Sequence, residues 1–214
     1  MKPHPLRPRH RAASLLAVLA LFGTAAWAGA GEAAKRPTPA TAATAIPSHS
    51  IYQLDTPLTD QAGHPFSLPD KRGRPMIVSM FYTSCQFVCP MLVDAIRVTE
   101  QKLSEAERQR LSVLLVSFDP AHDTVDVLRK TAEQRQIDTA RWSLARTDAK
   151  QVRKLAALLD IQYRALDNGD FNHSTVLVLV DANGRIVGRT SESGGADPAF
   201  VKLVKATLAA SPGL

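Results

Sequence analysis

Cysteine is scarce in this chain: Cys85 and Cys89 are the only two in 214 residues. That excludes a disulfide-dense mini-scaffold and a Cys₄ zinc site. Glycine-rich phosphate loops are missing, and no internal repeat breaks the chain into units. Long charge runs are missing as well. With 45% apolar and 21% charged side chains, the composition excludes a disordered tail, a collagen-like repeat and a polytopic membrane protein. The formal charge of +6 invites a nucleic-acid reading, but its location undoes it. Lys2, Arg7, Arg9 and Arg11 fall in the first thirty residues, where no acid occurs. Setting them aside leaves 22 bases against 20 acids in the rest, no electrostatic footprint for DNA or RNA.

What the first thirty residues do have is an address. A basic stretch from Met1 to Arg11 precedes the apolar run Leu15 to Phe22, and small residues follow, ending Ala26-Trp27-Ala28-Gly29-Ala30. This order is the signature of a secretory signal peptide, with cleavage expected after Ala28 or Ala30. The rival reading is an uncleaved N-terminal anchor through residues 12–30, weakly hydrophobic because alanine and glycine dominate it. No cysteine sits near the exit for a bacterial lipid anchor. Both readings place the remainder in an export compartment, the periplasm. Residues 31–50 are rich in Ala, Thr and Pro without an apolar period and read as a flexible linker. The domain itself is expected over residues 51–214.

Three nearly continuous apolar runs stand out, Met76 to Tyr82, Val113 to Phe118 and Val176 to Val180. Short, β-branched runs of this kind read as strands covered on both faces, the pattern of an α/β sheet. Helices are expected from Pro90 to Leu103, from Asp148 to Leu159 and after the Asp197-Pro198 start signal. Asp181-Ala182-Asn183-Gly184 reads as a hairpin turn. The expected order is β-α-β-α-α, a hairpin and a closing helix, giving a mixed central sheet with helices on both sides.

Cys85-Gln86-Phe87-Val88-Cys89-Pro90 falls where the first apolar strand gives way to a helix. The positive end of a helix dipole favours thiolates, which are better ligands and nucleophiles than thiols. The i, i+4 spacing brings both sulfurs to one side, so the pair can close into a disulfide or open into a two-thiolate claw. A purely structural disulfide is the plain alternative in an exported protein. In the chain-entropy model so short a loop contributes only about 2 kcal/mol, little for a domain of this size. His173, just before the third apolar run, adds an imidazole. Two thiolates and one imidazole form a soft three-ligand set suited to Cu(I), whereas zinc would want a fourth ligand.

The motifs Phe81-Tyr82-Thr83-Ser84-Cys85-x-x-x-Cys89-Pro90, Ser117-Phe118-Asp119-Pro120-x-x-Asp123-Thr124 and His173-Ser174 occur in this order across the domain. Together they resemble the Sco/SenC family. The resemblance implies a thioredoxin-like mixed central sheet flanked by helices, and a copper site on Cys85, Cys89 and His173. It further implies Cu(I) as cargo, with Cu(II) left open, and delivery to the CuA centre of cytochrome c oxidase, on its subunit II, or to another periplasmic copper protein. The alternative within the family is a thiol–disulfide reductase that keeps the partner's copper-site cysteines reduced. There Cys85 and Cys89 form the redox-active pair, with Cys85 attacking as the more exposed of the two.

Departures from the family pattern are modest: Gln86 and Phe87 inside the motif, and Val125 after Asp-Thr. Asp119 and Asp123 match the family's Asp-Pro-x-x-Asp-Thr element, and a purely structural reading has Asp123 capping the helix opening at Thr124. His122 reads as a solvated loop histidine, and His49 and His64 fall in linker or turn. Met80 and Met91 read as core rather than thioether ligands. A peroxiredoxin is disfavoured, because Val78 and Tyr82 stand where its motif needs proline and threonine.

Overall fold

The computed structural model describes residues 45–85, 88–192 and 195–211, with the main chain alone for 88 and 89. The expected signal peptide or anchor, and the linker up to residue 44, lie outside the described residues. Packing starts before Ile51. Ser50 is buried, bridges to Arg185 and accepts the Tyr52 N–H on its hydroxyl at 3.1 Å, and Ile46 rests against the core. No described helix is long and apolar enough to cross a membrane.

The apolar runs form the centre of a seven-stranded sheet. Strand β3 (Met76–Phe81) is buried at all six positions, β4 (Ser112–Ser117) at five and β8 (Leu177–Val180) at all four. Successive side chains point to opposite faces, so full burial requires cover on both. Helices α1 (Val88–Gln101), α3 (Val125–Gln134), α4 (Ala149–Leu159) and α5 (Pro198–Ala210) flank the sheet. Their apolar stripes are the expected ones: Leu92, Ala95 and Ile96 on α1, Val152, Leu155, Ala156 and Leu159 on α4, and Phe200, Val204 and Leu208 on α5 are buried. Asp148 and Asp197 cap α4 and α5 as expected. A short helix, α2 (Glu105–Gln109), opens on a Ser104/Glu107 capping box.

The strand order is β2-β1-β5-β4-β3-β8-β9. Three of these strands carry no strong sequence signal: β1 (Pro57–Asp60) and β2 (Pro65–Ser67), which are short and proline-bearing, and β5 (Trp142–Arg146). Strand β5 lies parallel to β4 and turns the expected α-α succession into α-β-α. Strand β9 (Ile186–Thr190) pairs antiparallel with β8 through the expected turn. That turn requires glycine. Gly184 has φ +78°, and a Cβ there would lie 2.5 Å from Ser50 Oγ and from Tyr52 Cδ2, so both backbone freedom and space demand the missing side chain.

Two pairings position the site. Strands β3 and β4 are parallel, with Phe81 opposite Ser117, so the loops leaving them emerge side by side at one sheet edge. Strand β8 runs antiparallel to β3, with Val78 opposite Val178. Its start therefore stands beside the end of β3, and Ser79 Oγ donates to the Val176 carbonyl there at 2.6 Å. The segment before β8 is a separate two-stranded ribbon of β6 (Tyr163–Ala165) and β7 (Phe171–His173).

A candidate metal centre at the sheet edge

Cys85 follows β3 by four residues and precedes α1 by three, in the loop between them. It is 8% exposed. The thiol borders a narrow apolar slot with Phe81, Val93, Leu115 and Leu144, between the sheet and helices α1 and α3. Cys89 is the second residue of α1, and its side chain lies outside the described residues.

His173 ends β7. Its ring stands edge-on to Tyr82 with centroids 5.8 Å apart and lies 4.9 Å from the Phe118 ring. Nδ1 is 3.3 Å from the Ser174 carbonyl. On its outer side His173 faces a polar recess of about 450 Å³ with Gln162, Arg164 and Asn172. Tyr163 and Phe171 pack on Tyr82 and Phe118 in the same ring cluster. This cluster anchors the ribbon, which shares no ladder with the main sheet.

Tyr82 joins the two sides. Its hydroxyl is pushed up to about 12 by burial first and then by a hydrogen bond with the Cys85 side chain, against a lowering contact from the Phe171 backbone. Cys85 and His173, 88 positions apart, thus both touch one tyrosine. The cause is the β3–β8 pairing, which carries the chain ahead of β8 back to the end of β3. With Cys89 in the first turn of α1, the donors available at this edge are sulfur and imidazole, a chemistry that fits a soft copper ion.

The Asp-Pro-x-x-Asp-Thr loop lies alongside. Asp123 does not cap α3, which departs from the structural reading of the sequence; Thr124 does, its hydroxyl accepting the Val127 N–H at 3.3 Å. The Asp123 carboxylate instead accepts the Thr83 N–H at 3.2 Å and the hydroxyls of Thr83 and Ser117. Burial first, and Asp119 last, push its pKa above the ordinary carboxylate value against the lowering effect of these bonds. One buried carboxylate therefore pins the cysteine loop, two residues before Cys85, to the end of β4. The tell-tale in sequence is an acid flanked by no capping need, since Thr124 already serves. Arg146 braces the same loop by donating to the Asp123 carbonyl at 2.9 Å and the Pro120 carbonyl at 2.8 Å. His122 is exposed, as expected, yet paired: its Nδ1 lies 2.8 Å from Asp119 Oδ2. Met80 is core, whereas Met91 is 43% exposed, which corrects its reading as core.

A protein of Stutzerimonas stutzeri provisionally named as copper-binding is 28% identical over 143 residues, covering 65% of this chain and 68% of that protein. The crystal structure of a SCO1/SenC family lipoprotein from Bacillus anthracis superposes with a TM-score of 0.63 at 25% identity, over 72% of this chain and 94% of the other. Arabidopsis thaliana ScoI, solved with copper bound, shares the fold with a TM-score of 0.61 at 16% identity, over 72% and 94% of the two chains. The SCO1/SenC family model matches residues 48–208, and this chain belongs to the SCO1/SenC family.

Proposed function

We propose that this chain is an exported copper carrier that holds Cu(I) on Cys85, Cys89 and His173 and passes it to the CuA site of a cytochrome c oxidase, on subunit II. The observation that supports it best is the shared contact of Cys85 and His173 with Tyr82. The family role in oxidase assembly gives the direction of transfer, and the basic, apolar, small-residue N-terminus gives the compartment.

Loading requires both thiols to lose their protons, so copper competes with protons for three donors and binding weakens in acid. In the handover, two thiolates of the partner replace those of Cys85 and Cys89 one at a time, and a neutral donor of the partner replaces the His173 imidazole. Each new copper–sulfur bond forms as an old bond breaks, and the protons leaving the partner's thiols return to Cys85 and Cys89. No electron moves, and no free ion appears. Oxidation of the pair to a disulfide consumes two of the three donors, so only the reduced protein carries copper.

The reductase alternative needs Cys85 to be reached by a partner's disulfide, and its burial counts against that. A Cu(I) competition titration of the reduced protein separates the two. Cys85→Ser, Cys89→Ser and His173→Ala are each expected to weaken binding by more than about a hundredfold, beyond what loss of an outer partner costs. Undiminished copper affinity in His173→Ala, with disulfide reduction intact, would move the assignment to the reductase.

A further inference from the structure

The slot beside the Cys85 thiol is largely apolar, with Phe81, Val93, Leu115 and Leu144 in its walls. Of the two threonine hydroxyls there, Thr83 donates to Asp123 and Thr131 to the Val127 carbonyl at 2.8 Å. Tyr82 does reach the sulfur. Its hydroxyl hydrogen-bonds the Cys85 side chain and takes a backbone hydrogen bond from Phe171, two residues before His173. The tyrosine is held firmly for this contact, being 4% exposed. On one side of it in sequence the Phe81 carbonyl accepts the Phe118 N–H at 2.9 Å, and on the other the Thr83 N–H donates to Asp123 at 3.2 Å. The rings of Phe118 and Phe171 each lie 5.1 Å from its own, and that of His173 stands edge-on at 5.8 Å. With its oxygen accepting from Phe171, the hydroxyl keeps its proton for sulfur.

We propose that the Tyr82 hydroxyl, by hydrogen-bonding the Cys85 sulfur, is the positioning group that holds the cysteine pair in its reduced form. This deepens the copper reading above and rests on it, since the reduced pair is the form that carries the ion. A thiolate has no proton of its own, so the bond runs from the tyrosine O–H to sulfur, and a charged acceptor makes it a strong one. A disulfide sulfur carries no charge and accepts poorly, so the bond favours the reduced side. Stabilising that side raises the reduction potential of the pair. Closing the pair with oxidised dithiothreitol forms one S–S bond as another breaks. Two electrons pass from the cysteine sulfurs to the reagent, and the two thiol protons go to its sulfurs.

The copper-free protein is equilibrated with mixtures of reduced and oxidised dithiothreitol at neutral pH, and the fraction of disulfide is read. Tyr82→Phe removes the hydroxyl and keeps the ring. It is expected to shift the exchange constant about tenfold toward the disulfide, the lower end for a hydrogen bond to a charged acceptor, which makes the potential about 30 mV more negative. Loss of the Phe171 contact lowers the melting temperature of both redox forms alike and leaves the potential where it is, so the potential separates this role from a purely structural one. Tyr163→Phe, in the same ring cluster, should leave the potential unchanged. A wild-type potential in Tyr82→Phe would overturn the proposal, as would a wild-type pair that does not close into a disulfide. An unmoved Tyr82→Phe beside a shifted Arg135→Gln would give the role to the guanidinium that lines the same slot. Failure of the reduced wild-type protein to bind Cu(I) in a competition titration would instead overturn the copper reading and leave the Tyr82 result standing.

Discussion

A single carboxylate decides how the cysteine loop is held. Asp123 is 1% exposed and takes three hydrogen bonds, from the Thr83 N–H, the Thr83 hydroxyl and the Ser117 hydroxyl. Replacing it with alanine strands those donors in a dry place, where each unsatisfied group costs about 1–3 kcal/mol. Asp123→Ala is therefore expected to lower unfolding free energy in urea by at least about 1 kcal/mol and to weaken Cu(I) binding through loss of loop position. Asp123→Asn keeps an acceptor for Thr83 and should recover most of both losses. If Asp123→Ala loses stability while copper affinity stays at the wild-type value, the carboxylate supports the fold but does not position the ligands. Tyr82 belongs to the same scale: it meets Cys85 through its hydroxyl and His173 through its ring.

Among the elements, helix α5 shows how a cap couples local structure to packing. Asp197 accepts from the Ala199 and Phe200 N–H groups at 2.8 and 3.3 Å and from the Thr190 hydroxyl at 2.8 Å, joining the helix start to the end of β9. The Thr190 bond first, and the backbone bonds with it, hold this carboxyl below its ordinary value of 3.8. A carboxylate with a lowered pKa in the folded state adds stability above its unfolded pKa, and that stability is lost as pH falls through the folded pKa. The melting temperature of Asp197→Ala should accordingly lie below wild type at neutral pH, and the gap should close as pH falls through the lowered folded value. A gap that persists unchanged in acid would assign the effect to packing of α5 rather than to the charged cap.

At the level of the whole molecule, one buried ion pair links layers that are distant in sequence. Arg141 Nη1 lies 2.6 Å from Glu100 Oε1, with both side chains under 10% exposed, and the Trp142 indole N–H donates to the same oxygen at 3.3 Å. The pair fastens the end of α1 to the start of β5. Removing Glu100 leaves the Arg141 guanidinium paired with Asp138, whose Oδ2 lies 2.8 Å from Nε, but strands the Trp142 indole N–H and part of the guanidinium, so Glu100→Ala should cost about 1–3 kcal/mol in urea unfolding. The double variant Glu100→Leu/Arg141→Met should recover much of it, because two apolar side chains leave no stranded charge. A double variant as unstable as the single one would place the cost in lost packing instead.

Read along the chain, the apolar runs at 76–82, 113–118 and 176–180, the hairpin at Gly184 and the helix starts at Asp148 and Asp197 already specify most of the sheet centre and its cover. Their signals are local: continuous burial, a turn that needs positive φ, and capping side chains. Cys85, Cys89 and His173 stand out in the sequence as the proposed donor set because their chemistry is carried by residue type. Strands β1, β2 and β5 were not legible, being short and held by pairing across the sheet; β5 even takes a bond from Leu144 N–H to the Gln61 side chain at 2.8 Å. The roles of Asp123 and Asp119, the burial of Cys85 and the meeting of His173 with Tyr82 likewise depend on which strands lie side by side. Nothing in the residues near position 173 says that β8 runs against β3, and that antiparallel pairing is what returns a late histidine to the tyrosine that follows β3.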